Sequence, residues 1–184
     1  MRKLLDRFYL LMLGVAAACL AVIFALVIAQ VIGRIFDSTL VIFNYPPYGF
    51  LIPSLAEISG YLFAAASFLA LAATLKRGAH IRVTMLVGSV QPRMRKIFEL
   101  WALAACLAIA AYATWSLVAL AYSSFKFGDV SSGLFPIKYW IPQSAMALGL
   151  AAFCIALLDE LVLTWRRGRP SFVEAESAIT MGQE

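Results

Sequence analysis

The sequence predicts an all-α integral membrane protein with four transmembrane helices and short interfacial helices. Three observations lead to this fold class: an apolar composition, four long runs without charge, and a biased distribution of Lys and Arg. Of the 184 residues, 63% are hydrophobic and 14% are charged, with a mean hydropathy of +0.88. A soluble domain is about half apolar and about a quarter charged. The composition therefore leaves no room for a separate soluble domain.

The first apolar run follows a short basic N-terminus and predicts a span over about residues 9–33. It is free of charge from Phe8 to Gly33, which is 26 residues. A secretory signal peptide has an apolar region of only about 7–15 residues, so signal cleavage and a lipoprotein site at Cys19 are the weaker alternatives. A helix of this length would extend about 39 Å against a hydrocarbon core of about 30 Å, so we expect it to tilt or project.

The second span is predicted over about residues 57–76. Arg34 and Asp37 are expected to close the first span, and the proline-rich residues 38–53 are expected to form an interfacial loop with a short helical turn. The segment 54–57, Ser-Leu-Ala-Glu, fits a capping box, in which the serine hydroxyl and the glutamate carboxylate satisfy each other's backbone N–H groups. This motif predicts a helix start at the beginning of the second span.

The third span is predicted over about residues 99–125, within a helix that starts at Pro92. A proline at the first helical position is favourable because its missing N–H would have no helical partner there. The basic connection before it includes residues 81–87, which are amphipathic enough to lie on the membrane surface. We therefore expect a second interfacial segment in this connection.

The fourth span is predicted over about residues 139–159 and is expected to end at Asp159 and Glu160. Residues 1–170 then form a single four-helix membrane domain. Residues 171–184 are polar and are expected to form a disordered cytosolic tail.

The positive charges predict the orientation of the chain. With a cytosolic N-terminus, the inside segments hold 12 of the 15 Lys and Arg residues and the outside segments hold 3. Positive residues are enriched in cytoplasmic segments, so both termini are predicted in the cytosol. The net charge of +5 follows this topological pattern, and we expect no nucleic-acid partner.

The sequence offers little that could perform chemistry. No predicted span has a charged residue away from its ends, whereas ion-coupled transporters usually carry ionisable groups or broken helices at mid-membrane. A single histidine cannot supply the paired axial ligands of a four-helix haem protein. Cys19, Cys106 and Cys154 each lie in an apolar run and have no metal-binding spacing. We therefore predict no catalytic residue, no metal and no cofactor.

Four residues are candidates for a structural or subunit-interface role. Glu57 and Tyr61 are four residues apart and share one helical face, where they could cap and position the helix or contact a partner subunit. His80 could form a hydrogen bond at the membrane surface or act as a ligand or proton relay. Arg82 could bind lipid headgroups and set the topology, or make a specific contact.

Several of these residues also carry a family resemblance. The chain resembles the small permease subunit, the DctQ-like subunit, of tripartite ATP-independent periplasmic (TRAP) transporters. The matching features are Glu57 followed by Tyr61, the segment from Lys76 to Val83, and a serine-rich turn with Pro136 and Trp140. Thr84 is a departure, because the family commonly has Asp at this position.

The resemblance implies a bacterial inner-membrane subunit that scaffolds a large permease subunit. In this family the large subunit binds sodium and substrate, and a periplasmic substrate-binding protein delivers an organic acid such as a carboxylate or sialic acid. The expected partners are therefore these two proteins and membrane lipid, and no enzymatic activity is expected. The alternatives are a membrane-embedded redox or enzyme subunit and a self-sufficient small transporter.

Overall fold

A computed structural model describes residues 2–76 and 92–167 of the chain. Among these residues there is no β-strand, only one isolated antiparallel bridge between Val130 and Lys138. All four helices are long and apolar enough to cross a membrane, which confirms the predicted all-α membrane fold. The helices are α1 (Arg2–Ile42), α2 (Leu55–Lys76), α3 (Pro92–Phe127) and α4 (Trp140–Arg167).

Helix α1 is longer than the sequence suggested. It passes through Arg34 and Asp37 without a break, so the predicted loop over residues 38–53 was wrong for its first five residues. The helix ends instead at Ile42, and Asn44, two residues later, has a positive φ of 59°. The N–H of Tyr45 then donates to the carbonyl of Leu40 at 2.9 Å, the bond pattern of a Schellman motif. Charged residues can end a membrane span without ending a helix.

The connection from α1 to α2, residues 43–54, runs back beside the end of α1. The Asp37 carboxylate accepts the backbone N–H groups of Tyr48 and Phe50 at 2.8 and 3.1 Å. Gly33 allows the Phe50 ring to approach, since a Cβ there would lie 2.2 Å from Phe50 Cδ1. No separate interfacial helix occurs in this connection. The second predicted interfacial segment, residues 81–87, lies outside the described residues.

The four helices form a single open layer in the order α1, α2, α4, α3. Helix α1 packs on α2, α2 packs on α4, and α4 packs on α3, while other pairs of described helices make at most marginal contact. The inner helices α2 and α4 are therefore covered on two sides, and α1 and α3 form the two edges. Many buried residues of the inner helices are alanines, which permit close helix approach: Ala65, Ala66, Ala72, Ala73, Ala147, Ala152 and Ala156.

The inner helices approach each other closely at Gly149 of α4. A Cβ at this position would lie 2.5 Å from the backbone carbonyl carbon of Phe68 and 2.7 Å from the backbone nitrogen of Leu69. Real Cβ atoms do not approach backbone atoms this closely, so the two backbones can meet here only because residue 149 is glycine. This contact fixes the distance between α2 and α4.

Candidate functional site

The loop between α3 and α4 is a compact hairpin. Helix α3 ends at Phe127, and the next residue is Gly128, whose φ of 71° suits glycine. The N–H of Asp129 donates to the carbonyl of Ser124 at 3.0 Å. The buried Ser131 closes the hairpin: its N–H donates to the carbonyl of Ile137 at 2.8 Å, and its hydroxyl accepts the N–H of Ile137 at 3.1 Å. The loop therefore has a defined shape that α2 can contact.

The start of α2 holds this hairpin through two side chains. The hydroxyl of Ser54 accepts the backbone N–H of Phe135 at 3.1 Å. The Glu57 carboxylate lies against Gly133, since a Cβ on residue 133 would be 2.0 Å from Glu57 Oε2. The predicted capping box is therefore replaced by a contact across the layer, because the Ser54 hydroxyl bonds to the hairpin. We call Ser54, Glu57, Gly133 and Phe135 the loop clamp.

Glu57 and Tyr61 contact each other, as their shared helical face suggested. The Tyr61 hydroxyl donates to Glu57 Oε1 at 2.8 Å, one turn apart on α2. The Tyr61 ring also packs edge-on against the Tyr139 ring at the start of α4, with centroids 6.2 Å apart. The contacts of both residues thus lie within the chain, which favours a structural role, while a contact with a partner subunit stays a prediction.

Replacing Ser54 with Ala is expected to destabilise the protein by about 1 kcal/mol, the usual net contribution of one hydrogen bond. The variant removes the acceptor for the N–H of Phe135 and should also increase hydrogen exchange across residues 129–138. Unfolding by SDS, followed by circular dichroism, measures the stability. Ser67→Ala is the matched control, because the exposed Ser67 hydroxyl only donates to a carbonyl of its own helix. Equal effects of the two substitutions would contradict a stabilising role for the loop clamp.

A second polar cluster lies towards the opposite end of the layer and was not anticipated from the sequence. Lys76 at the end of α2 forms an ion pair with Asp159 of α4 and lies 3.3 Å from Glu160 Oε1. Glu160 is fully buried, with 0% of its side chain exposed. The fourth helix continues past both acidic residues to Arg167. We call Lys76, Asp159 and Glu160 the ionic cluster.

The ionic cluster lies between the two inner helices, where it can hold them together. A charge in a low-dielectric interior is tolerated only when it is paired or hydrogen-bonded. Buried Thr164 follows Glu160 by one turn and donates its hydroxyl to the Glu160 carbonyl at 2.8 Å, so its own polar group is also satisfied. The sequence contained a signal for this cluster. Lys76 follows the charge-free run of the second span, and Asp159 and Glu160 follow the charge-free run of the fourth span.

His80, Arg82 and Thr84 lie outside the described residues. Within the described ranges, no group of three or more His, Cys, Asp or Glu side chains could hold a metal ion. All three cysteines are free, and Cys154 Sγ lies 3.5 Å from the Thr114 hydroxyl across the α3–α4 contact.

Comparison with known proteins gives one clear result. The family model described as "Tripartite ATP-independent periplasmic transporters, DctQ component" matches residues 23–167, more than three quarters of the chain. The matched region contains the loop clamp, the ionic cluster and all of α2, α3 and α4. A comparison with curated proteins gives no match.

Proposed function

The chain belongs to the DctQ component family of TRAP transporters, and from that premise we propose that it scaffolds a large permease subunit. It is a small membrane subunit of such a transporter, in a family that works together with a large permease and a periplasmic binding protein. We propose that the large subunit carries the sodium and substrate sites. The transported substrate is then an organic acid, a carboxylate or sialic acid, which the periplasmic protein delivers.

The open helix layer is the observation that best supports a scaffold. In a closed four-helix bundle, each helix packs against two neighbouring helices. Here the helices lie side by side, and the two edge helices keep long outward faces exposed. Such a layer can extend the surface of a larger membrane protein, and it provides two edges at which that protein can bind.

The arrangement of charge also supports this proposal. Ion and substrate sites in transporters are commonly built from ionisable side chains that face a cavity or from broken helices. Between α2 and α4 the half-buried Lys76 pairs with the half-buried Asp159 and contacts the fully buried Glu160. These charges are therefore consistent with holding the layer together, and the transport chemistry is assigned to the large subunit.

We propose that the protein lies in the bacterial inner membrane with both termini in the cytoplasm. The distribution of 12 Lys and Arg residues inside against 3 outside supports this orientation. The loop clamp then lies on the periplasmic side and the ionic cluster on the cytoplasmic side. Glu57 and Tyr61 act by shaping the periplasmic end of the layer. The assignment of His80 and Arg82 to the cytoplasmic membrane surface rests on the sequence alone.

Native mass spectrometry provides a direct test. The chain is co-expressed with the products of its neighbouring genes, extracted in mild detergent and weighed. We expect a one-to-one complex with a large multi-span protein. A stable homo-oligomer without such a protein would contradict the scaffold. Haem absorbance would indicate a redox subunit instead, and coupled uptake by this chain alone in liposomes would indicate a self-sufficient transporter.

A further inference from the structure

The outward face of α3 carries polar aromatic side chains at the middle of the helix. Tyr112 lies at the centre of the charge-free run from residue 100 to residue 125, and Trp115 follows less than one turn later. Their side chains are 75% and 74% exposed. Leu103, which is buried in the core cluster that includes α4, precedes Tyr112 by nine positions and therefore lies on the opposite side of the helix. These aromatic side chains thus point away from the rest of the layer.

Lipid is a poor environment for this face. Hydrocarbon cannot accept the hydrogen bonds that a tyrosine hydroxyl and an indole N–H donate, and both residue types favour the membrane–water interface over the bilayer centre. Neither Tyr112 nor Trp115 donates a hydrogen bond to another described residue. Ser116 is also exposed, and the small residues Ala108 and Ala119 on the same face permit close backbone approach. The face therefore suits another transmembrane helix that offers hydrogen-bond acceptors.

The outward face of α1 has a different chemistry. At the corresponding depth its large exposed side chains are all apolar, and it presents no hydroxyl, amide or indole group there to the surroundings. Hydrocarbon satisfies such a surface fully, so it needs no protein partner. These side chains, which surround the helix at this depth, are Leu20, Val22, Phe24, Val27 and Ile28, and Val22 and Ile28 lie on its outward side. The two edges of the layer are thus not equivalent.

The exposed area on α3 is large enough for a specific contact. Trp101 and Tyr122 share the face with Tyr112 and Trp115, and all four rings are at least two-thirds exposed. An aromatic side chain can bury about 150–250 Å², so these four rings provide roughly 400–700 Å². A stable interface of standard size buries about 800 Å² on each partner. The aromatic face alone supplies much of that area.

We infer that the outward face of α3 binds a transmembrane helix of the large permease subunit, whereas the outward face of α1 faces lipid. The inference rests on the proposed function and adds which edge of the layer binds the partner. Tyr112 and Trp115 lie at the centre of this interface, where they donate hydrogen bonds to the partner helix. The α1 edge is then the outer boundary of the complex.

Photocrosslinking in the assembled complex tests the inference. A benzophenone amino acid is introduced at Tyr112 and, as the matched control, at Phe24. Phe24 is also aromatic, lies near the middle of the other edge helix and is 67% exposed. Irradiation in native membranes should yield an adduct with the large permease from position 112, at least tenfold more than from position 24. A second readout is the double variant Y112L/W115L, which should reduce co-purification of the large subunit at least tenfold, whereas Phe24→Leu should not.

Each other outcome has a definite meaning. Adducts with the large subunit from position 24 and not from position 112 would overturn the assignment of the edges and leave the scaffold function intact. If crosslinking at position 112 gave an adduct with the mass of two copies of this chain, the partner of the α3 face would be a second copy of the chain. That result would overturn the inference. Crosslinks at position 112 to lipid alone, in a complex that contains the large subunit, would also overturn the inference. Absence of the large subunit from the purified complex would overturn the proposed function itself.

Discussion

Replacing Lys76 with Met is expected to destabilise the protein by about 3–5 kcal/mol, because it removes the ammonium group that contacts both Asp159 and Glu160 between the inner helices. The Glu160 side chain is fully buried, so the substitution removes a charge contact from a low-dielectric environment. The substitution also removes the charge contact between the two inner helices. Unfolding of the purified protein by SDS, followed by circular dichroism, measures the change.

Two further variants separate this effect from the general effect of removing a lysine. Lys126→Met makes the same chemical change at an exposed position, where the ammonium lies 5.8 Å from the centroid of the Phe127 ring. It should change stability by less than about 0.5 kcal/mol, as expected for most surface substitutions. Lys76→Arg keeps the charge and should restore most of the stability. A loss for Lys76→Met no larger than that for Lys126→Met would show that the ionic cluster does not stabilise the fold.

Replacing Gly149 with Ala is expected to destabilise the protein by about 1–3 kcal/mol, the typical cost of overpacking. The added methyl group would lie 2.5 Å from a backbone carbon of Phe68, and a backbone cannot move aside as a side chain can. Helices α2 and α4 would have to separate, which would weaken the contacts of the alanines along their interface. Because α2 and α4 link the two edges, formation of the complex with the large subunit should fall as well.

Gly60→Ala is the matched control, since Gly60 is a helical glycine of α2 and an added methyl group there would have no atom within 4 Å beyond its own stretch of helix. Alanine has the higher helix propensity, by about 1 kcal/mol relative to glycine, so this variant should be neutral or more stable. The same SDS titration applies to both variants. If Gly149→Ala were as stable as Gly60→Ala, the close approach of α2 and α4 would not limit the packing of the layer.

The four long apolar helices of the described residues could be predicted because crossing a membrane imposes a simple requirement. Each span needs about 20 apolar residues in succession, and that property is local in the sequence. The end of α1 was not predicted, because Arg34 and Asp37 were expected to close the first span and residues 38–53 were predicted to form a loop. Both residues are compatible with a helix, and the helix ends at Ile42, two residues before Asn44 adopts a left-handed conformation.

For the candidate residues, contacts within one helix could be predicted from the sequence, whereas contacts between distant segments could not. Glu57 and Tyr61 were identified because they are four positions apart on one helix, and they do form a hydrogen bond. The target of Ser54 was not foreseen, because a capping box is a local motif whereas Phe135 lies 81 positions away. Lys76 and Asp159 are separated by 83 positions, so their pairing likewise depends on which helices are neighbours.

By itself, the sequence determined that this protein is an all-α membrane protein with four long apolar helices in the described part of the chain, and its resemblance to the DctQ-like subunits is confirmed by the family match. Hydropathy, helix propensity and motif spacing act over a few turns, so they can be recognised in one dimension. Only the tertiary structure decided that the helices form an open layer in the order α1, α2, α4, α3. Helix order depends on which small residues allow backbones to meet, as at Gly149, and on which distant charges pair. Those contacts arise between segments far apart in the chain, and the polar face they leave exposed on α3 follows from them.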